Sequence, residues 1–343
     1  MKKRVIILGA GVMGSAMALP LCDRGFDVTL VGTPLDEEIV VSLKAKQLHP
    51  KLNVTLPAGI RILSHQGYVQ DESDLIVLGV SSAGIAWAIE KLALVLKKST
   101  PIVMITKGLS SNMEALPDVM AAALKSRLGF VCAIAAIAGP CIAGELAQRR
   151  PTGTVIVSHD FAFALKLCED LQTDYYQPRP SIDVIGVEMC AAFKNFFAIA
   201  VGFAHGLLEN LPPTENKAFN NNAAAILFDQ AIREMMVLVR AFGGSPESVW
   251  GMAGAGDLYV TCQAGRNSRL GHHMGRGLSY HQVKAGPMLH DTVEGAELGI
   301  AVAATLRAHI NSKRLDAEKL PLTVALLNAL TEAVPFMPDW AKF

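Results

Sequence analysis

The chain has 343 residues, 51% of them hydrophobic and 18% charged, with Lys+Arg and Asp+Glu equal at 31 each. That balance describes a core-rich globular protein long enough for two domains, and it excludes a disordered chain, a nucleic-acid-binding polycation and a polybasic membrane surface. Six cysteines without a C-x-x-C pair and nine scattered histidines, of which only His272 and His273 are adjacent, point to free thiols in a reducing cytoplasm and to no metal site.

The first predicted elements carry the strongest motif. An apolar run, Val5–Leu8, meets Gly9-x-Gly11-x-x-Gly14 and passes directly into a helical pattern, Gly14–Asp23. Strand, glycine turn and helix in that order form a dinucleotide-binding turn. Gly9 permits the tight bend, Gly11 lets backbone approach a pyrophosphate, Gly14 lets helix and strand touch, and the helix N-terminus attracts the anion. The basic start Met1-Lys2-Lys3-Arg4 followed by a glycine-broken apolar run reads as strand and turn rather than as a signal peptide.

Further along, Asp27–Val31, Leu75–Val80, Pro101–Thr106, Val131–Ala138 and Gly153–Val157 read as strands. Helical stretches running through Trp87 to Leu96 and over Leu116–Lys125 lie among them. Near-continuous apolar strands alternating with helices predict a doubly wound parallel sheet covered on both faces, with ligands at the carboxyl ends of the strands. After the second strand, Val31-Gly32-Thr33-Pro34 offers neither the acidic residue that binds a ribose 2′-hydroxyl nor an arginine for a 2′-phosphate; Asp36, Glu37 and Glu38 follow shortly and are candidates for the first role. NAD is the expected cofactor, with NADP tolerated. Val80-Ser81-Ser82, Lys107 in Thr106-Lys107-Gly108-Leu109, and Ala138-Gly139-Pro140 all sit at strand ends. Ser81 is therefore a candidate cofactor contact and Lys107 a candidate anion contact, while the turn at Gly139 also reads as a simple strand exit.

From about residue 183 long helical patterns replace strands: Gly186–Leu207, Ala223–Ala241, Ser245–Met252, Thr292–His309 and Leu322–Thr331. Pro178 and Pro180 punctuate the change, and residues 209–216 are turn-rich. The expected organisation is a Rossmann-like domain over 1–182 and an all-helical domain over 183–343. Ile185–Ala204 is almost long enough to span a bilayer but carries Glu188, Lys194 and Asn195, so it reads as a buried central helix. A lysine there either snorkels to solvent or faces a cleft, where partial desolvation suits an ammonium to acid/base work and Asn195 orients a substrate oxygen. Gly251, Gly254 and Gly256 favour a bend that presents Asp257, with Thr261 one helical turn later and Arg266-Asn267 in a following Gly/Ser-rich turn. Taken separately, these read as a helix cap and a surface arginine. Together with Lys194 they read as an acid/base pair beside an anion grip.

In order along the chain, G-A-G-V-M-G-S-A, T-K-G-L, A-G-P, P-T-G-T, G-V-E-M-C-A-A-F-K-N, N-N-A-A-A-I-L, G-A-G-D-L-Y-V-T-C, G-R-N-S-R-L-G and V-E-G occur between Val5 and Gly295. This set resembles the bacterial-type NAD(P)-dependent glycerol-3-phosphate dehydrogenases. The resemblance implies a Rossmann domain plus a helical domain, a homodimer, no membrane insertion, and reversible hydride transfer between a nicotinamide and dihydroxyacetone phosphate or glycerol 3-phosphate. It implies Lys194 as general acid/base with Asp257 as charged partner, and Lys107, Asn195, Thr261, Arg266 and Asn267 as substrate contacts. It further implies Gly9, Gly11, Val12, Met13, Gly14, Ser81, Lys107, Ala143, Arg266 and Glu294 as cofactor contacts. The chain departs from the pattern at Ala224, where a basic residue is common, at Asp229-Gln230-Ala231, and at Pro212-Pro213-Thr214-Glu215-Asn216-Lys217. These departures leave open another phosphorylated polyol or a hydroxy acid as substrate, and a dinucleotide sensor without catalysis is the third reading.

Overall fold

The computed structural model describes residues 2–210 and 220–343. The backbone divides into two compact units, one of Met1–Lys107 with Ala115–Val184, the other of Gly108–Glu114 with Ile185–Phe343. The short segment after Lys107 thus belongs with the helical unit rather than with its sequence neighbours.

The first unit is an eight-stranded sheet in the order β10-β9-β8-β7-β6-β1-β2-β5. Its strands are β1 (Arg4–Leu8), β2 (Asp27–Val31), β5 (Arg61–Leu63), β6 (Leu75–Leu78), β7 (Ile102–Met104), β8 (Ile134–Ala138), β9 (Thr152–Val157) and β10 (Tyr176–Ser181), while β3 (Leu48–His49) and β4 (Val54–Thr55) form a separate hairpin. Six helices accompany them: α1 (Val12–Asp23), α2 (Glu37–Lys46), α3 (Ile85–Val95), α4 (Leu116–Leu128), α5 (Ala143–Ala147) and α6 (Phe161–Leu171). Ile7, Leu30, Val77 and Val103 are buried at the centre, as expected of strands covered on both faces.

Two features differ from the sequence reading. The sheet is not wholly parallel, because β9 runs antiparallel to β8. The segment with Pro178 and Pro180 is a strand, paired with β9 through Pro178↔Thr154 and Pro180↔Ile156. Proline is compatible there because β10 is the sheet edge, where missing N–H groups cost no ladder bond on the open side. Tyr176 anchors this edge, fully buried with its hydroxyl and that of Thr154 3.0 Å apart.

The second unit is helical: α7 (Val184–Gly206), α8 (Asn221–Ala241), α9 (Glu247–Trp250), α10 (Asp257–Gln263), α11 (Arg266–Gly275), α12 (Tyr280–Ala285), α13 (Glu294–Asn311) and α14 (Pro321–Thr331). By length and composition α7 is apolar enough to cross a membrane, yet 89% of its most apolar window is buried within the protein. It is the core helix, with the rings of Phe193, Phe196 and Phe197 clustered at 5.3–6.1 Å between centroids.

Glycines decide how closely the other helices approach α7. A Cβ at Gly202 would lie 2.2 Å from the Ser268 carbonyl oxygen and one at Gly206 2.0 Å from that of His272. Reciprocally, Cβ atoms at Gly271 and Gly275 would meet the carbonyl oxygens of Ile199 and Phe203 at 1.8 and 2.2 Å. Two four-residue-spaced glycine pairs therefore put the α7 and α11 backbones in direct contact, closer than side-chain-mediated packing allows. Gly295 does the same for α13, since its Cβ would lie 2.2 Å from the Asn195 carbonyl oxygen.

A buried carboxylate joins α8 to α14. Glu234 is fully buried and accepts from the backbone N–H groups of Leu322 and Thr323 and from the Thr323 hydroxyl, each at 2.6 Å, and from the Gln230 amide at 2.9 Å. It satisfies the first amides of a helix that has no side-chain cap of its own. Glu234→Ala is expected to lower unfolding free energy by about 2–3 kcal/mol, because buried donors lose their acceptor. Urea denaturation followed by circular dichroism checks this; a loss under about 0.5 kcal/mol refutes the capping role. Gln230, one of the departures from the family pattern, is thereby part of the core. Ala224, another, is buried near the start of α8. The departure at 212–217 lies outside the described residues.

Candidate active site

In the first unit the candidate contacts gather at strand ends. Gly9 adopts φ +120°, and a Cβ there would collide with the Gly79 carbonyl oxygen at 2.5 Å, so the turn after β1 admits only glycine. A Cβ at Gly14 would lie 2.0 Å from the Gly9 carbonyl oxygen, which fixes α1 directly against the turn. Gly11 faces open space, and as N-cap of α1 it leaves the first amides without a side-chain partner. Val12 is exposed and Met13 partly so beside it. These observations fit a dinucleotide pyrophosphate: a side-chain-free approach, unclaimed helix N-terminal amides and no acidic residue in the first turn.

Ser81 precedes a short helical turn after β6, and Ala143 opens α5 after β8. Lys107 follows β7 and donates from Nζ to the Gly139 carbonyl at 3.1 Å, with the adjoining Thr106 hydroxyl held by the Val80 carbonyl at 2.7 Å. β1, β6, β7 and β8 are neighbours through β6 and β7, so these residues lie at the carboxyl ends of contiguous strands.

The acidic candidates after β2 differ in their surroundings. Asp36 is buried, and its Oδ2 accepts from the Ala10 N–H at 3.1 Å and from the Thr33 N–H and hydroxyl at 2.8 Å each. Through this one oxygen it ties the end of β2 to the glycine turn. Glu37 and Glu38 are exposed in the first turn of α2.

The second unit holds the remaining candidates. Lys194 on α7 and Asp257 at the start of α10 form an ion pair, both almost completely buried. The glycine-rich segment before Asp257 is a π-helical turn, Met252–Gly256, and a Cβ at Gly254 would lie 2.1 Å from the Val249 carbonyl oxygen. That wide turn aims the Asp257 carboxylate at α7, a placement that ordinary helix continuation does not give. Thr261 lies one turn on, its hydroxyl on the Asp257 carbonyl at 2.6 Å. Burial pushes the neighbouring Cys262 thiol up to about 12, which favours its protonated form.

Next to the pair is a hydrogen-bonded chain of predicted residues. Asn267 donates to the Asn195 side-chain oxygen at 2.9 Å and accepts from the Gly295 N–H at 2.9 Å. Asn195 donates to Glu294 Oε2 at 3.2 Å, and Arg266 reaches Glu294 Oε1 at 3.6 Å. The close approach at Gly295 and at the α11 glycines brings these four side chains together from three helices. Arg266 and Glu294 are exposed, so their pairing is weak and an anionic ligand can take over the guanidinium. Among the described residues no cluster of three metal-ligating side chains occurs.

Sequence reasoning missed Glu188. It is fully buried on α7, and its Oε2 accepts from the Gly108 N–H at 3.1 Å, holding the residue after Lys107. An acid in an otherwise apolar helix was the available signal.

Known proteins resemble this chain along nearly its whole length. A family model described as NAD-dependent glycerol-3-phosphate dehydrogenase N-terminus matches residues 4–164, and one for the C-terminus of the same family matches residues 183–337. An NADP(+)-dependent glycerol-3-phosphate dehydrogenase of Archaeoglobus fulgidus is 35% identical over 277 residues, 80% of this chain and 81% of that protein. A glycerol-3-phosphate dehydrogenase [NAD(P)+] of Chlamydia pneumoniae is 29% identical over 97% of this chain and 94% of its own. The crystal structure of glycerol-3-phosphate dehydrogenase from Coxiella burnetii superposes with a TM-score of 0.80 at 27% identity, covering 99% of this chain and 98% of that one.

Proposed function

The chain belongs to the NAD-dependent glycerol-3-phosphate dehydrogenase family, and on that premise we propose that it interconverts dihydroxyacetone phosphate and glycerol 3-phosphate with Lys194 as the general acid/base. It is an oxidoreductase that uses NAD or NADP. The buried Lys194–Asp257 pair beside the Asn195–Asn267–Glu294–Arg266 chain is the observation that carries the reading. When bound, the nicotinamide supplies or accepts the hydride. In the reducing direction Lys194 Nζ gives a proton to the C2 oxygen as negative charge develops there, and in the oxidising direction its neutral amine takes that proton back. Asp257 keeps the ammonium in place and balances its charge. Asn195 and Thr261 orient substrate hydroxyls, and Asn267 holds Asn195 in the required rotamer.

Arg266, with Asn267 beside it, grips the substrate phosphate, whose binding energy is remote from the reacting carbon. The same reading includes Glu294 closing the nicotinamide side, a homodimer and a cytoplasmic setting.

The test follows NADH and NADPH oxidation with dihydroxyacetone phosphate as substrate. Arg266→Ala is expected to raise KM for this substrate by about tenfold to a hundredfold, the loss of one or two charge-assisted hydrogen bonds, while turnover of unphosphorylated dihydroxyacetone stays as slow as before. An unchanged KM removes Arg266 from the phosphate grip and favours a hydroxy acid substrate. Oxidation of neither cofactor with any ketose phosphate leaves only dinucleotide binding.

A further inference from the structure

The Ala10 peptide in the glycine turn is held at both ends by side chains remote in sequence. Its N–H donates to Asp36 Oδ2 at 3.1 Å. Its carbonyl lies 3.1 Å from His49 Nε2 and accepts from the Ser15 hydroxyl at 3.0 Å. Ala10, Ser15 and His49 are fully buried and Asp36 nearly so.

The His49 ring has a defined tautomer. Its Nδ1 faces the backbone N–H groups of Lys51 and Leu52, at 3.2 and 3.1 Å, and can only accept from them. The ring proton therefore resides on Nε2 and is donated to the Ala10 carbonyl. The β3–β4 hairpin keeps this geometry, with Asn53 in the left-handed region at φ +53° and its N–H on the His49 carbonyl at 2.8 Å. A second proton on Nδ1 would point at two N–H donors, so the imidazolium forms only if the hairpin and the ring part.

We infer that Asp36 and His49 are positioning residues for the dinucleotide turn, and that acid weakens binding of the cofactor's adenosine diphosphate moiety by protonating His49 Nδ1 and breaking the hairpin contacts that seat its ring against the Ala10 peptide. The inference rests on the dinucleotide reading of the Gly9–Gly14 turn. Burial holds the His49 imidazole below its ordinary range, against the bond to Ala10 and the Asp36 carboxylate, which favour the cation. Lys51, on the hairpin, acts with burial, and α1 presents only the uncharged Ser15 hydroxyl to the same carbonyl. A lowered folded-state value means that the unfolded chain binds the proton first. The stabilisation is complete above the ordinary histidine range and is lost as pH falls through it toward the folded value.

Calorimetric titration of the full apo-protein with ADP-ribose, which has the pyrophosphate but no acid-labile dihydronicotinamide, tests this. Between about pH 7.5 and about pH 5.0 the wild-type Kd is expected to rise by roughly threefold or more, with circular dichroism showing the protein still folded. His49→Gln, whose amide can donate to Ala10 without titrating, is expected to bind about as well as wild type at the higher pH and to lose most of the pH dependence. Asp36→Asn keeps an acceptor oxygen and is expected to bind better than Asp36→Ala. A wild-type Kd that is flat with pH overturns the inference whether or not the variants fold, as does an equal slope in His49→Gln. Absence of ADP-ribose binding at the higher pH sinks the dinucleotide reading as well.

Discussion

Removing the Lys194 ammonium is expected to lower kcat by about a thousandfold or more, with KM for the cofactor unchanged, because a general acid/base contributes roughly two to four orders of magnitude. The choice of variant matters. Lys194→Met alone leaves the Asp257 carboxylate buried without its cation, and breaking such a pair costs about 3–5 kcal/mol. Lost activity in that variant mixes chemistry with unfolding. The double variant Lys194→Met with Asp257→Asn removes both charges and fills the same volume. It is expected to melt close to the wild-type temperature and remain as inactive as the single variant. A double variant that is folded and turns over within tenfold of wild type would falsify the general acid/base role.

The second large effect is structural. Gly271→Ala adds one methyl group where a Cβ would lie 1.8 Å from the Ile199 carbonyl oxygen. The obstacle is backbone, not a side chain that can rotate away, so α7 and α11 must separate. The expected cost is about 3 kcal/mol or more, which corresponds to a fall in melting temperature of roughly 10 °C. The consequence extends to catalysis. Separation moves Asn267 from Asn195, and a folded remnant of the variant is expected to show a raised KM for dihydroxyacetone phosphate. Gly129→Ala is the control: its space is open, and only its left-handed φ of +76° is penalised. Scanning calorimetry of both variants decides the matter, and an equal small loss in the two refutes the backbone-contact argument.

How much of this was legible in advance differs from element to element. The Gly9–Gly14 turn was readable because its requirement is local: a positive φ at Gly9 and a helix that begins at once. The long apolar α7 was readable from composition, and Lys194 stood out as a charge where burial is costly. The bend before Asp257 was visible as clustered glycines, although its π-helical form was not. The β10 edge strand was hidden because two prolines normally argue against pairing, and only its position at the sheet edge makes them harmless. Glu234 and Glu188 were missed as structural acids because their partners are backbone amides 88 and 80 residues away. The bond of Asp36 to Ala10 was hidden for the same reason, since it is a tertiary contact.

By itself the order of residues determined the class of the two halves, the nucleotide turn and which side chains are candidates for the chemistry, since these follow from periodicity, backbone freedom and the charge each side chain carries. Tertiary structure alone decided which of those side chains meet. Lys194 finds Asp257 across 63 positions of chain, and Asn195 finds Asn267 across 72. The second meeting depends on how closely α7, α11 and α13 approach, and that distance is set by glycines whose partners are carbonyl oxygens elsewhere in the fold. Close approach is a property of pairs of surfaces, and no local pattern encodes a pair.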